Sequence, residues 1–160
     1  MAIVQRTDLN LNNQKRFGET AVATFPAKLQ EANTRTGTPA SFIDPADEYH
    51  AYCVPKMCIA RNIYLLTREA FAAGTEATVS TIVDGTVLES TYAVDVAGNF
   101  TLVTACKATG ALENGALFET VDGFKVSFNQ TSDVGTLQVI MGYSSIDEKS
   151  GKYVAPLTLQ

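Results

Sequence analysis

The chain has no tryptophan, one histidine, three cysteines and no apolar run long enough to span a membrane as a helix. Each shortage weighs against a class of function. Without tryptophan, a sugar-binding surface would have to stack its ligand on tyrosines, and strand tyrosines more often serve packing. His50 is the only imidazole available for proton transfer near neutral pH. It stands in Asp-Glu-Tyr-His-Ala-Tyr-Cys, three residues before Cys53. On a strand that spacing puts the two side chains on opposite faces, which makes a poor nucleophile–base pair.

Cys53, Cys58 and Cys106 form an odd, small set with no disulfide framework, as expected of reduced thiols made in a cytosol. A Cys3His zinc site would need all three together with His50, although Cys106 lies half the chain away. Buried thiols acting as small hydrophobes are the simpler expectation. The chain opens Met-Ala-Ile-Val-Gln-Arg-Thr-Asp, without an apolar signal core. The sequons at Asn99 and Asn129 matter only in a secretory context and carry no weight here.

Charge is also scarce, at 18% of residues, and the net value is −5. An acidic chain is a poor fit for a nucleic-acid binder held by phosphate contacts. The charge is unevenly placed. Residues 1–60 hold six Lys/Arg and six Asp/Glu, whereas residues 61–160 hold six and eleven and carry the whole net charge. There is no phosphate-binding Gly-rich loop, no Gly-x-Ser-x-Gly elbow, no dinucleotide fingerprint and no EF-hand loop. The expectation is therefore no enzyme, no catalytic residue, no cofactor, no metal, no small-molecule substrate, no nucleic acid and no membrane. A glycosidase pair among the scattered carboxylates is the one enzymatic reading that spacing leaves open.

What is present is alternation. Hydrophobic residues make up 46% of 160 residues, enough to bury a core without staples. Ile63 to Leu66 is a run of β-formers; Arg68 to Ala73 breaks it, Gly74-Thr75 turns the chain, and Ala77, Val79, Thr81 and Val83 then alternate with Glu76, Thr78, Ser80 and Ile82. Period two is the mark of a half-buried strand. Strands are expected at 21–25, 49–54, 58–67, 76–83, 86–96, 99–106, 116–121, 123–128, 136–144 and 153–159, with one or two helical turns at 27–33 and a loop at 33–40. Asp84-Gly85 and Asp122-Gly123 suit two-residue hairpins, and Gly98-Asn99 and Asn114-Gly115 are further turn pairs. Tyr92, Val94 and Val96 are expected on one face, with Phe124, Val126 and Phe128 forming a similar set. Frequent turns between short strands predict an all-β fold, an antiparallel β-sandwich of jelly-roll-like form over residues 20–160. Residues 1–19 are polar and too irregular for an amphipathic face. They read as an extended N-terminal arm, of a kind that orders only when something pins it.

The run Leu-Leu-Thr-Arg-Glu-Ala-Phe-Ala-Ala-Gly-Thr-Glu-Ala-Thr-Val, with Glu69, Ala70, Phe71, Gly74, Thr75, Ala77, Thr78 and Val79 as its matching residues, resembles a stretch in structural proteins of tailed-bacteriophage virions. Capsid decoration, or cement, proteins are among them. The resemblance covers about twenty residues. Those proteins usually continue into an Asp-rich loop, where this chain has Asp84-Gly85. The resemblance implies a sandwich, often jelly-roll-like, that sits on the capsid surface of the virion after synthesis in the host cytoplasm. It also implies the major capsid protein as partner, self-association as a dimer or trimer, and terminal arms that clamp neighbouring subunits. In this chain Arg6, Lys15, Arg16 and Phe17 are the expected arm contacts, combining charge, bidentate hydrogen bonding and one apolar anchor. A receptor-binding or fibre-tip sandwich of a phage tail is the alternative.

Overall fold

The computed structural model describes residues 19–27 and 43–146. Among the described residues, nine strands lie in two antiparallel sheets. In chain order they are β1 Glu19–Pro26, β2 Tyr49–Val54, β3 Cys58–Glu69, β4 Glu76–Thr81, β5 Val87–Ala93, β6 Phe100–Leu102, β7 Ala116–Phe118, β8 Asp122–Phe128 and β9 Thr136–Ser145. One sheet runs β1-β9-β3-β6, with β7 also on β3, and the other runs β2-β8-β4-β5. Strands β6 and β7 share one edge of β3, at Tyr64–Leu66 and at Cys58–Ala60 respectively. Counted as a single position they complete eight, in the strand order of a jelly roll. The expected all-β sandwich is the observed fold.

Alternation explains which face each strand buries. In β9, Leu137, Val139, Met141 and Tyr143 are at most 5% exposed, while Gln138, Ile140 and Gly142 point outward. In β8, Phe124, Val126 and Phe128 point inward as the pattern predicts. Tyr49, Ile63, Leu65 and Val79 complete the centre of the core.

The corner between β3 and β4 carries the chain from one sheet to the other. Phe71 turns inward and stacks on Phe128, with centroids 5.1 Å apart. A Cβ on Gly135 would lie 2.3 Å from the Phe71 ring, so only glycine leaves room for it. Gly74 takes φ +79°, and buried Thr75 donates its hydroxyl to the Ala72 carbonyl at 2.6 Å. The β8–β9 loop ties this corner down. Ala72 N–H donates to Ser132 Oγ at 2.9 Å, Gln130 Nε2 donates to Thr75 Oγ1 at 2.8 Å, and Glu76 N–H donates to Asn129 Oδ1 at 2.9 Å.

Several local expectations are corrected. Asp122-Gly123 is not a hairpin; both residues open β8, which belongs to a different sheet from β7. Asp122 is 2% exposed, and its Oδ1 accepts from Ile82, Val83 and Gly123 N–H at 3.1, 3.0 and 2.7 Å. Asp84-Gly85 is not a two-residue turn either. Only Gly85 of the pair takes positive φ, and the loop closes between Thr81 N–H and the Thr86 carbonyl at 2.9 Å. The strand expected at 99–106 stops at Leu102 and becomes a 3-10 turn at Thr104–Cys106, where Thr104 N–H and Oγ1 both donate to Glu89 Oε2. The strand expected at 116–121 ends at Phe118, and Val96 is 57% exposed although Tyr92 and Val94 are buried. The expectations for 28–42 and 153–159 lie outside the described residues.

Removing the Asp122 carboxylate would take the acceptor from Val83 N–H after β4 and from Gly123 N–H at the start of β8, and would leave Ile82 N–H only the Gly123 carbonyl at 3.1 Å. Asp122→Ala is expected to lower the unfolding free energy by about 3 kcal/mol, and Asp122→Asn, which keeps an acceptor oxygen, by clearly less. Urea denaturation of the three proteins checks the order.

Candidate functional site

The residues singled out for chemistry do not converge. His50 lies on β2 opposite Lys125, on the outer face of its sheet. Its Nε2 is 3.2 Å from Glu48 Oε2, and Lys125 Nζ is 3.5 Å from Glu48 Oε1. The hydrogen bond from His50, with the Lys125 ammonium adding to it, holds the Glu48 carboxyl below its ordinary range. Cys53 sits at the bulge between Tyr52 and Val54 and is buried, away from this group. Cys58 is fully buried, and its thiol donates to the Pro55 carbonyl at 3.1 Å. Burial, followed by the nearby Glu19 carboxylate, pushes the Cys58 thiol up to about 12. That is the reverse of what a nucleophilic cysteine needs. Burial also raises Cys106, and among the described residues no group of three or more His, Cys, Asp or Glu is placed to hold a metal ion. Glu69 and Asp133 line one groove of about 260 Å³, and both side chains are exposed. Arg6, Lys15, Arg16 and Phe17 lie outside the described residues.

Sequence reading missed the difference between the two outer faces of the sandwich. On the β2-β8-β4-β5 side, most outward residues of the two central strands are small and polar or charged, with Tyr52 and the 53% exposed Val87 on the flanking strands. Ser80 pairs with Lys125, Thr78 with Ser127, and Glu48 joins them around a groove of about 130 Å³. The β1-β9-β3-β6 side differs. Register places Val22, Ile140, Tyr64 and Leu102 in one outward row across four strands. The next row is Thr24, Gln138, Leu66 and Phe100. Gln138 Nε2 donates to Thr24 Oγ1 at 3.3 Å, and Tyr64 stacks on Phe100 with centroids 5.0 Å apart and an interplanar angle of 11°. Thr20, Gly142 and Asn62 form a third row, and Ser144, Ile59 and Leu117 a fourth. Phe100 and Leu117 are more than half exposed. These four rows contain no charged side chain, but exposed Arg61 stands at the β3 bulge between the third and the fourth. The signal was legible in principle, because β1, β3 and β9 all carry apolar residues at the positions that should face solvent. A lone alternating strand cannot reveal it, since the rows exist only once register is known.

No family model matches the chain, and no curated protein matches it. Among solved structures, a chain titled "Capsid of Ralstonia phage GP4" is similar, with a TM-score of 0.48 and 13% identity, covering 92% of this chain and 100% of that one. A likeness of that size carries no argument about role.

The buried thiol has a pH consequence. An unfolded cysteine has a pKa near 9.0, and folding raises Cys58 to about 12. The folded state therefore keeps a proton that the unfolded state loses, and stability is full below pH 9 and declines as pH rises from 9 towards 12. Cys58→Ala is expected to flatten that decline by up to one proton, or about 1.4 kcal/mol per pH unit. Denaturation midpoints at pH 8, 9.5 and 10.5 check this. At pH 8 a thiol reagent is expected to leave Cys58 unmodified until urea unfolds the chain.

Proposed function

We propose that this chain is a non-enzymatic virion structural protein of the decoration, or cement, type, which binds the assembled capsid shell and stabilises it. The jelly roll hosts capsid, lectin and cupin functions alike, so the fold does not choose among them. The observation that carries the reading is the Glu69–Val79 segment. Its residues resemble those of tailed-phage virion proteins. In this structure they build the corner at which a sandwich of the implied kind changes sheets. Phe71, Gly74 and Thr75 each have a defined structural task there. The buried Cys58 thiol and the scattered carboxylates agree with a binding role.

The mechanism is mass action. A protein that binds the closed shell, and not its separated subunits, stabilises the shell by the free energy of binding. Contacts repeated over a lattice add through effective concentration. The major capsid protein is the partner, the capsid surface of the virion is the location, and Arg6, Lys15, Arg16 and Phe17 make the arm's contacts.

The test uses shells stripped of decoration protein. Full-length chain is expected to saturate them at a fixed copy number and to raise the temperature at which they rupture. Deletion of residues 1–18 is expected to lower occupancy at least tenfold at equal concentration. Unchanged occupancy would sink the role of the arm, and failure of the full chain to bind any shell would sink the reading.

A further inference from the structure

We infer that the outer face of the β1-β9-β3-β6 sheet is the side of the sandwich that lies on the shell, and that Arg61 and Arg68 there take carboxylates of an acidic protein surface. The inference rests on the shell binding proposed above and adds to it the face used and the charge of the partner.

The arginines select the occupant. Arg61 and Arg68 are the two arginines among the described residues, and both stand exposed at the bulges of β3, on either side of Tyr64 and Leu66. Among the described residues neither guanidinium has a carboxylate within ion-pair distance, whereas Lys125 on the opposite outer face has Glu48. Between the arginines lie the stacked Tyr64–Phe100 pair, Ile140 and Leu66. An aromatic centre with arginine beside it and little lysine or carboxylate is the composition of a protein interface. Tyrosine and arginine are also the residues that most often dominate binding energy. The strands of this sheet carry two carboxylates, Glu19, whose Oε1 is buried, and Glu69 at the far end. The four rows hold none, so the same face of a second copy has nothing within them for the arginines to pair with. A surface with carboxylates of its own does. A guanidinium meets a carboxylate with two parallel hydrogen bonds and gives up hydration more readily than an ammonium.

The chain ends leave from this sheet. Strand β1 begins at Glu19, opposite Tyr143 near the end of β9, and Ser145 Oγ donates to Glu19 Oε2 at 3.5 Å. Residues 1–18 and 147–160 therefore attach at one end of the face, the end where Ala60 and Arg61 lie. Residues 1–18 hold Arg6, Lys15 and Arg16 against Asp8, so the arm proposed to grip the shell is basic and is rooted at the Arg61 end. Four strands about 4.8 Å apart and four rows about 6.7 Å apart give a footprint of roughly 500 Å². A standard interface covers about 800 Å² of each partner, so face and arm together are needed to reach it.

Binding to stripped shells, with thermal unfolding followed in parallel, tests this. Arg61→Glu and Tyr64→Glu are each expected to lower occupancy at least tenfold at equal concentration. Ser127→Glu, on the other outer face, is expected to leave it unchanged. All three should keep the thermal transition of the parent, because all three side chains point outward. The advantage of the parent over an Arg61→Gln, Arg68→Gln double variant is expected to shrink as NaCl rises from about 0.05 to 0.5 M. Hydroxyl-radical footprinting of the parent needs no substitution. Oxidation of Tyr64 and Phe100 is expected to fall at least threefold on the shell, and that of Tyr52 to stay the same. The face is overturned, and the shell-binding reading left standing, if the parent binds but Arg61→Glu and Tyr64→Glu bind equally well, if Ser127→Glu binds as poorly as they do, or if Tyr64 and Phe100 oxidise as fast on the shell as in the free chain. A parent that binds no shell overturns both.

Discussion

The Phe71 ring, seated against Phe128 over the bare backbone of Gly135, is the contact on which the rest of the sandwich depends. A jelly roll must pass the chain between sheets, and each passage leaves backbone polar groups that no ladder satisfies. At this corner the β8–β9 loop supplies partners through Ser132, Gln130 and Asn129, while Phe71 fills the end of the core. The aromatic anchor and the polar ties act together. Loosening the ring exposes the hydrogen bonds to water, and breaking those bonds frees the corner to move. Strand β4, which leaves this corner, pairs with β8, and β9, which leaves the loop, pairs with both β1 and β3.

Those registers create the two outer faces. One carries the Glu48, His50 and Lys125 group with small hydroxyl side chains and is at home in water. The other lines up Val22, Ile140, Tyr64 and Leu102 without a charge among them. The second face is the richer in apolar side chains, and exposed Arg61 stands at the β3 bulge between two of its rows. The proposed cement role would use that difference, with one side for protein contact and one side for solvent.

The sequence was most legible where local alternation and burial coincide. The inward sets of β8 and β9 could be read directly, because Phe124, Val126 and Phe128 repeat at the period of a pleat. It was least legible where turn chemistry served another purpose. Asp122-Gly123 has the composition of a hairpin, yet the Asp122 carboxylate holds the N–H groups of Ile82 and Val83, about forty residues away in sequence. Gly123 is there because the Ala51 carbonyl passes 2.1 Å from where its Cβ would stand. Nothing within a short window distinguishes these uses. Thr104 likewise leaves the strand pattern because Glu89, on another strand, receives its N–H and hydroxyl.

By itself the sequence determined that the chain would be built of strands, how most of the inward residues alternate, and that it holds no familiar catalytic motif. Those properties are local, set by side-chain period and residue type. Only the tertiary structure decided which turn residues end strands and which begin them, which thiols are shut in the core, and that four separate strands place their uncharged outward residues side by side. Such outcomes depend on register between segments up to about 120 residues apart, as between Val22 and Ile140. A one-residue slip in any ladder would have sent the same side chains to the opposite face.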